Sequence, residues 1–319
     1  MISDTGVRGA NPTEPLVSAN IFHRALIGAI PYAPRALIWR FSHRYIAGIT
    51  LQDACQTVAD MNATGCSATI DVLGEDSTRE EQVDAALELY LKTIRDISVA
   101  SLDCGVSVKL SEMGLRFDTA RCTKSMLVLL SAAREHGLFV RIDMEDSSVT
   151  TATLNIYREL RKQFDNVGIV IQSCLRRSTQ DIAELMSEGV TDVRLCKGIY
   201  IEPEEIAFCD ADEIRNSFSE LLQQLFDGGA RRVAIATHDP QLVAQAEATI
   251  KQLAVPRERY EFQMLLGVAG SLRRDLVKKG HSLRVYVPFG ELWYDYSIRR
   301  FRENPNIAGH IVKNLFSRS

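Results

Sequence analysis

Past residue 66 the chain repeats one pattern. A short run rich in Val, Ile and Leu, often alternating with polar residues, is followed by a longer stretch with apolar positions three and four apart. The first kind of run predicts strands at 67–73, 105–110, 138–143, 168–172, 192–196, 233–236, 261–265 and 283–287. The second predicts intervening helices, including 80–97, 150–164 and 214–226. Turn glycines at Gly137, Gly189, Gly229 and Gly280 stand just before strands, where a helix has to stop. Strands alternating with helices call for a parallel α/β fold, and eight such units fit a closed (β/α)8 TIM-like barrel better than an open sheet. An open dinucleotide-binding sheet would carry a Gly-rich turn, and neither GxGxxG nor GxxxxGK occurs.

Before the repeat, the first dozen or so residues are polar and bear Gly and Pro, so they are expected to be loose. Helices are expected at 16–30 and 36–46, with a further one opening at the capping-box sequence Thr50 to Asp53 and running to about 61. This divides the chain into an N-terminal helical arm, 1–48, and a barrel domain, 49–319. The helix at 36–46 mixes Arg35, Arg40 and Arg44 with Trp39, Phe41 and Tyr45, a pattern that suits packing on the main domain and also suits peripheral membrane contact.

Composition narrows the functional classes. With 319 residues and 46% hydrophobic content the chain can bury a sizeable core, and a formal net charge of -4 argues against nucleic acid as a partner. Seven cysteines without a CxxC pair, and without histidines at metal-ligand spacing, read as reduced thiols of a cytoplasmic protein. The apolar stretch 25–30 is too short for a signal peptide and stops at Pro31, and no run approaches the roughly 20 apolar residues that span a bilayer.

In a barrel, chemistry belongs at the carboxyl ends of the strands. There the sequence places Lys109, Asp143 with Glu145 and Asp146, Gln172, the run from Arg194 through Lys197 and Gly198 to Tyr200, Thr237-His238-Asp239, Glu261 with Gln263, and Tyr286. An inward lysine needs a counter-ion, and Asp143 on the next strand is the expected one. Each residue also has a plain structural reading: a buried ion pair for Lys109 with Asp143, loop hydrogen bonds for Gln172 and Gln263, a helix cap for His238. The acidic trio suggests a hard metal, but strand alternation sends Asp143 and Glu145 to one face and Asp146 to the other, so no metal is expected. Near the end, Tyr296, Arg299 and Arg300 share one helical face. Two guanidinium forks there would match a carboxylate, although arginines near a helix end also serve as partners of the macrodipole or of Glu303.

These segments together closely resemble the proline dehydrogenase family, in particular its single-function bacterial type. The matching motifs are Leu73-Gly74-Glu75, Val108-Lys109-Leu110, Val140 to Asp146, Gly168 to Gln172, Arg194 to Tyr200 with Glu202-Pro203, Ala236 to Asp239, Glu261 to Leu265, Arg284 to Pro288, and Tyr296 with Arg299-Arg300. The resemblance implies an FAD-dependent barrel with a last helix over its mouth, which oxidises L-proline to Δ1-pyrroline-5-carboxylate by hydride transfer to flavin N5 and passes electrons to a membrane quinone. It implies that Lys109, Arg299 and Arg300 bind the proline carboxylate with Asp143 supporting the lysine, and that Tyr286, Tyr296 and Leu265 wall the ring. Arg194 would then stand near flavin N5, while Gln172, Lys197, Gly198, Tyr200, Thr237, His238 and Glu303 would attend the cofactor. Cys174-Leu175, Cys196, Ile199 and Leu292 depart from the family's usual choices and leave open a proline-like substrate of a specialised pathway. A Schiff-base lyase using Lys109 or Lys197 keeps the barrel but leaves most strand-end residues without a role.

Overall fold

In a computed structural model, the described residues are 35–189 and 192–303. Eight strands close into a parallel barrel in chain order: β1 (Ser67–Val72), β2 (Cys104–Val108), β3 (Val140–Ile142), β4 (Val167–Gln172), β5 (Asp192–Cys196), β6 (Arg232–Ala236), β7 (Tyr260–Leu265) and β8 (Leu283–Phe289), with β8 returning to β1. Among the described residues the helices are α1 (Arg35–Ser42), α2 (Leu51–Ala63), α3 (Glu80–Val99), α4 (Thr119–Glu135), α5 (Ser147–Arg161), α6 (Ser178–Ser187), α7 (Ala211–Asp227), α8 (Pro240–Gln252), α9 (Gly270–Lys278) and α10 (Trp293–Glu303). The expected helix at 36–46 ends at Ser42, and the one expected at 16–30 lies outside the described residues. The Thr50 capping box forms: Thr50 Oγ1 accepts from the Asp53 N–H at 3.2 Å and the Asp53 carboxylate accepts from the Thr50 N–H at 3.1 Å.

Two compact units result, one spanning Ser42–Trp293 and holding the whole barrel. The other joins the start of the chain to the segment that begins at Tyr294, where the Arg35 guanidinium lies 4.9 Å above the Tyr294 ring.

Parallel neighbours in register share a face, so the ladder divides every strand in two. Ile70, Val106, Ile142, Ile169, Leu195, Ile235, Phe262 and Val287 form one set; all are fully buried and belong to the same hydrophobic cluster as the helix residues Tyr90, Leu129, Leu160 and Leu225. Removing each such side chain from water contributes about 1.5–3 kcal/mol, and this sleeve between sheet and helices is the main core. The other set points into the barrel and is polar. Near the amino ends it comprises Arg141, Asp192, Arg232, Glu261 and Arg284, and higher up Asp71, Ser107, Arg194, Gln263 and Tyr286.

A charged interior is tolerated because most of its charges are paired with one another. Arg141 donates to the Asp192 carboxylate and, at 2.9 Å, to the Asp192 carbonyl. It reaches β5 by crossing the position of Gly168 on β4, where a Cβ would collide with the guanidinium and stand 2.8 Å from the Asp192 carbonyl. Glu261 takes Arg284 Nε at 2.9 Å and Arg232 Nη2 at 2.5 Å. Burial works against the Glu261 charge, but these two guanidiniums outweigh it and hold the carboxyl below its usual range.

Candidate active site

The ladder stops one residue short of both Lys109 and Asp143, so each leaves its strand end as the chain turns outward. Lys109 Nζ donates to Asp71 Oδ1 at 3.0 Å. The expected lysine partner, Asp143, is engaged elsewhere: it accepts from Ser107 Oγ at 2.6 Å, Arg194 Nη1 at 2.6 Å and the Tyr286 hydroxyl at 2.8 Å. Arg194 explains the exchange. Its side chain spans the barrel from β5 to β3, and its fork outcompetes a point charge for the same carboxylate. Asp71, on the β1 edge of the same upper level, is left for the lysine. Sequence reading passed over Asp71, although its alternation with Ile70 and Val72 marks it as inward.

Arg194 is the centre of the upper barrel. Its Nε donates to Gln263 Oε1 at 2.6 Å, its Nη1 also touches Ser107 Oγ at 3.3 Å, and its guanidinium carbon stands 5.3 Å from the centre of the Tyr286 ring. Its Nη2 is buried with no hydrogen-bond partner. Burial and the neighbouring Asp143 and Asp71 push the Tyr286 hydroxyl well above its ordinary range, so it is a fixed donor. Burial disfavours the Lys109 charge, but Asp71, Asp143 and Glu112 more than compensate and raise its pKa. Glu112, in the segment after β2, accepts from the Tyr90 hydroxyl at Oε2, 3.3 Å away. Its pKa is pushed up to about 8, mainly by burial and against the pull of Lys109.

The acidic trio is dispersed by function. Glu145 accepts from the Ser111 N–H at 3.0 Å and from the Ser111 hydroxyl, while Asp146 caps α5 by accepting from the Ser148 N–H at 3.0 Å. Strand alternation does not govern them because β3 ends at Ile142. No cluster of metal-ligating side chains occurs among the described residues.

Apart from Glu303, the residues expected to attend a cofactor lie on one arc, the carboxyl ends of β4, β5 and β6, where Gln172, Cys196 and Ala236 are in register. Gln172 is held by donating to the Glu145 carbonyl at 2.9 Å. Gly198 has φ +99°, and a Cβ there would meet Cys174 Sγ and stand 3.0 Å from Gln172 Oε1, so only glycine lets the backbone turn this close. Lys197 Nζ lies 3.3 Å from Asp239, which also takes Arg215 Nε at 2.8 Å and caps α8; the cap is therefore Asp239 and not His238. Thr237 Oγ1 accepts from the Asp239 N–H at 3.2 Å, and His238 Nε2 accepts from the Leu265 N–H at 2.7 Å, joining this arc to β7. Tyr200 is half-buried in the loop after β5. Glu202 in the same loop accepts from the Ser147 N–H at 2.7 Å and hydroxyl at 2.6 Å, fixing the loop to the start of α5.

The chemistry of this upper rim is compatible with a flavin, because one buried guanidinium amino group, Arg194 Nη2, has no hydrogen-bond partner and so offers a donor. Tyr296, Arg299, Arg300 and Glu303 all lie on α10, in the other compact unit, and the side chains of the last three lie outside the described residues.

Residues 54–312 match the family model described as Proline dehydrogenase. The chain belongs to the proline dehydrogenase family. It is 34% identical over 278 residues to Proline dehydrogenase 1 of Bacillus subtilis (strain 168), covering 87% of this chain and 91% of that one. It is 30% identical over 287 residues to the Proline dehydrogenase of Deinococcus radiodurans, covering 88% and 92%. Among solved structures, proline utilization A from Bdellovibrio bacteriovorus, inactivated by N-propargylglycine, superposes with a TM-score of 0.78 at 24% identity, covering 84% of this chain. The chain spans 33% of that larger protein, and at this identity the likeness bears on the barrel alone. Membership in the proline dehydrogenase family makes this chain an oxidoreductase, as its strand-end motifs imply.

Proposed function

We propose that the protein binds FAD across the β4–β6 arc and oxidises L-proline to Δ1-pyrroline-5-carboxylate, the first step of proline catabolism. The observation that carries this reading is Arg194: a buried guanidinium, anchored on Asp143, Ser107 and Gln263, with one amino group left unpaired at the carboxyl end of a barrel from this family. FAD, when bound, supplies the acceptor for the two electrons that leave the ring carbon beside nitrogen. Arg194 offers fixed positive charge beside that acceptor, in a site where it need not reorganise. Gln172, Lys197, Gly198, Tyr200, Thr237 and His238 hold the cofactor, with Glu303 contributing from the last helix.

Lys109 presents an ammonium held charged chiefly by Asp71 and Asp143, and together with Arg299 and Arg300 it receives the substrate carboxylate. Tyr286, Tyr296 and Leu265 wall the ring, so that binding at one end orients the reacting carbon. A Schiff-base lyase would need a neutral amine, and the carboxylates around Lys109 oppose it. As the family resemblance implies, the electrons pass on to a membrane quinone, reached by peripheral contact from the cytoplasmic side. Among the described residues no helix is long and apolar enough to cross a membrane.

The test is the visible spectrum of the purified protein under anaerobic conditions. A flavin band that bleaches on adding L-proline is the expected result. A protein that carries and takes up no FAD, or whose band is untouched by L-proline and by proline-like amines, rejects the reading.

A further inference from the structure

Gln263 is absorbed by neither substrate nor cofactor, and it is buried in mid-barrel. Its amide is bonded at both ends: Oε1 accepts from Arg194 Nε at 2.6 Å, and Nε2 donates to Glu261 Oε1 at 2.5 Å. A free amide can present either end. This one cannot, because a carboxylate only accepts and an arginine only donates. Glu261 in turn is fixed from the amino end of the barrel by Arg284 and Arg232. The intervening strand leaves the passage open: β6 presents Ala234 and Ala236 between Arg194 and the β7 pair, with Ala234 in register with both Arg194 and Glu261, and Ala236 with Gln263.

We propose that Glu261 and Gln263 are positioning residues that set the rotation of the Arg194 guanidinium, holding its Nε toward β7 so that Nη1 meets Asp143 and Nη2 stays unpaired. The polar chain from the closed end of the barrel thereby aims the group that serves the open end. Without the Gln263 oxygen, Arg194 loses a charge-assisted bond on the side opposite Asp143 and turns about its remaining anchor. The consequence for catalysis rests on the function proposed above; the orientation itself does not.

The test therefore has two parts. In full-length protein labelled with 15N-arginine, the Arg194 Nε–Hε signal is identified by its disappearance in Arg194→Lys. In Gln263→Leu, whose side chain can neither accept nor donate, that signal is expected to shift and to exchange with water more than about tenfold faster, while the other arginine signals stay in place. The double exchange Glu261→Gln with Gln263→Glu conserves charge and again turns an acceptor toward Arg194, and it is expected to restore the signal. In the flavin-loaded protein, Gln263→Leu is expected to lower kcat about tenfold with KM for L-proline within about twofold. A matching tenfold change in relative affinity for the two flavin redox states moves the midpoint potential by about 30 mV. An Arg194 signal unchanged in Gln263→Leu overturns the proposal, as does a signal change accompanied by parallel changes at every other arginine, which would mean general loosening. A protein that takes up no FAD sinks the proposed function and leaves the arginine result readable.

Discussion

The Tyr286 ring lies beside Arg194 while its hydroxyl donates to Asp143. If that ring walls the substrate as proposed, its bulk would crowd any hydroxyl carried by a substrate ring. Tyr286→Ser is therefore expected to raise the kcat/KM ratio of hydroxyproline to proline by about tenfold, and an unchanged ratio removes the steric account. Glu112 allows a prediction of a different kind. Its pKa rises on folding to about 8, chiefly through burial, so between the ordinary glutamate range and that value the folded protein holds a proton which the unfolded chain has released. Stability from this group is full below the unfolded pKa and is lost as pH rises through about 8. Denaturant titrations from pH 5 to 9 should show wild type weakening with pH, and Glu112→Gln, which mimics the protonated form, weakening less. Equal slopes would mean that Glu112 is not protonated in the folded state.

At the scale of elements, each strand does two jobs with a period of two. One face of β4 and β5 carries Ile169, Ile171, Val193 and Leu195 into the sleeve beneath the helices, and the other carries Gly168, Asp192 and Arg194 into the barrel. Interiors of such barrels are commonly filled by branched aliphatic residues; here the filling is ionic, and its geometry depends on small residues that let long side chains cross a strand. Gly168 is the clearest case. Gly168→Ala is expected to displace Arg141 from Asp192 and to destabilise the protein by about 3 kcal/mol, because a broken buried pair leaves a charge unmatched. Urea unfolding measures this, and a loss close to that of an ordinary surface substitution would show that the guanidinium has another place to go.

At the scale of the whole molecule, the barrel unit contains Lys109, Arg194, Tyr286 and the β4–β6 arc, whereas the arginine pair belongs to the last helix and the other unit. If that helix supplies the carboxylate forks, single substitutions Arg299→Met and Arg300→Met should each raise KM for L-proline by roughly ten- to hundredfold with the flavin spectrum intact, the loss of one charge-assisted contact in each case. Unaltered KM in both variants would confine the substrate site to the barrel.

Alternation within short apolar runs was enough to read eight strands in order, and glycine and capping signals marked many of the turns between them, because a strand's two faces and a helix's ends are local properties of the chain. The same local reading placed Lys109, Asp143, Gln172, Arg194, His238 and Tyr286 at the carboxyl ends of strands. What the sequence by itself did not determine was who pairs with whom. Lys109 lies 38 residues from Asp71 and Arg194 lies 51 from Asp143, and in a closed ring an inward side chain can reach several strands. Tertiary structure decided among them by reach and by free space: arginine crosses the barrel where lysine reaches only the adjoining strand, and the crossings run where Gly168, Ala234 and Ala236 leave room. Those are properties of the assembled ring, and no single strand carries them.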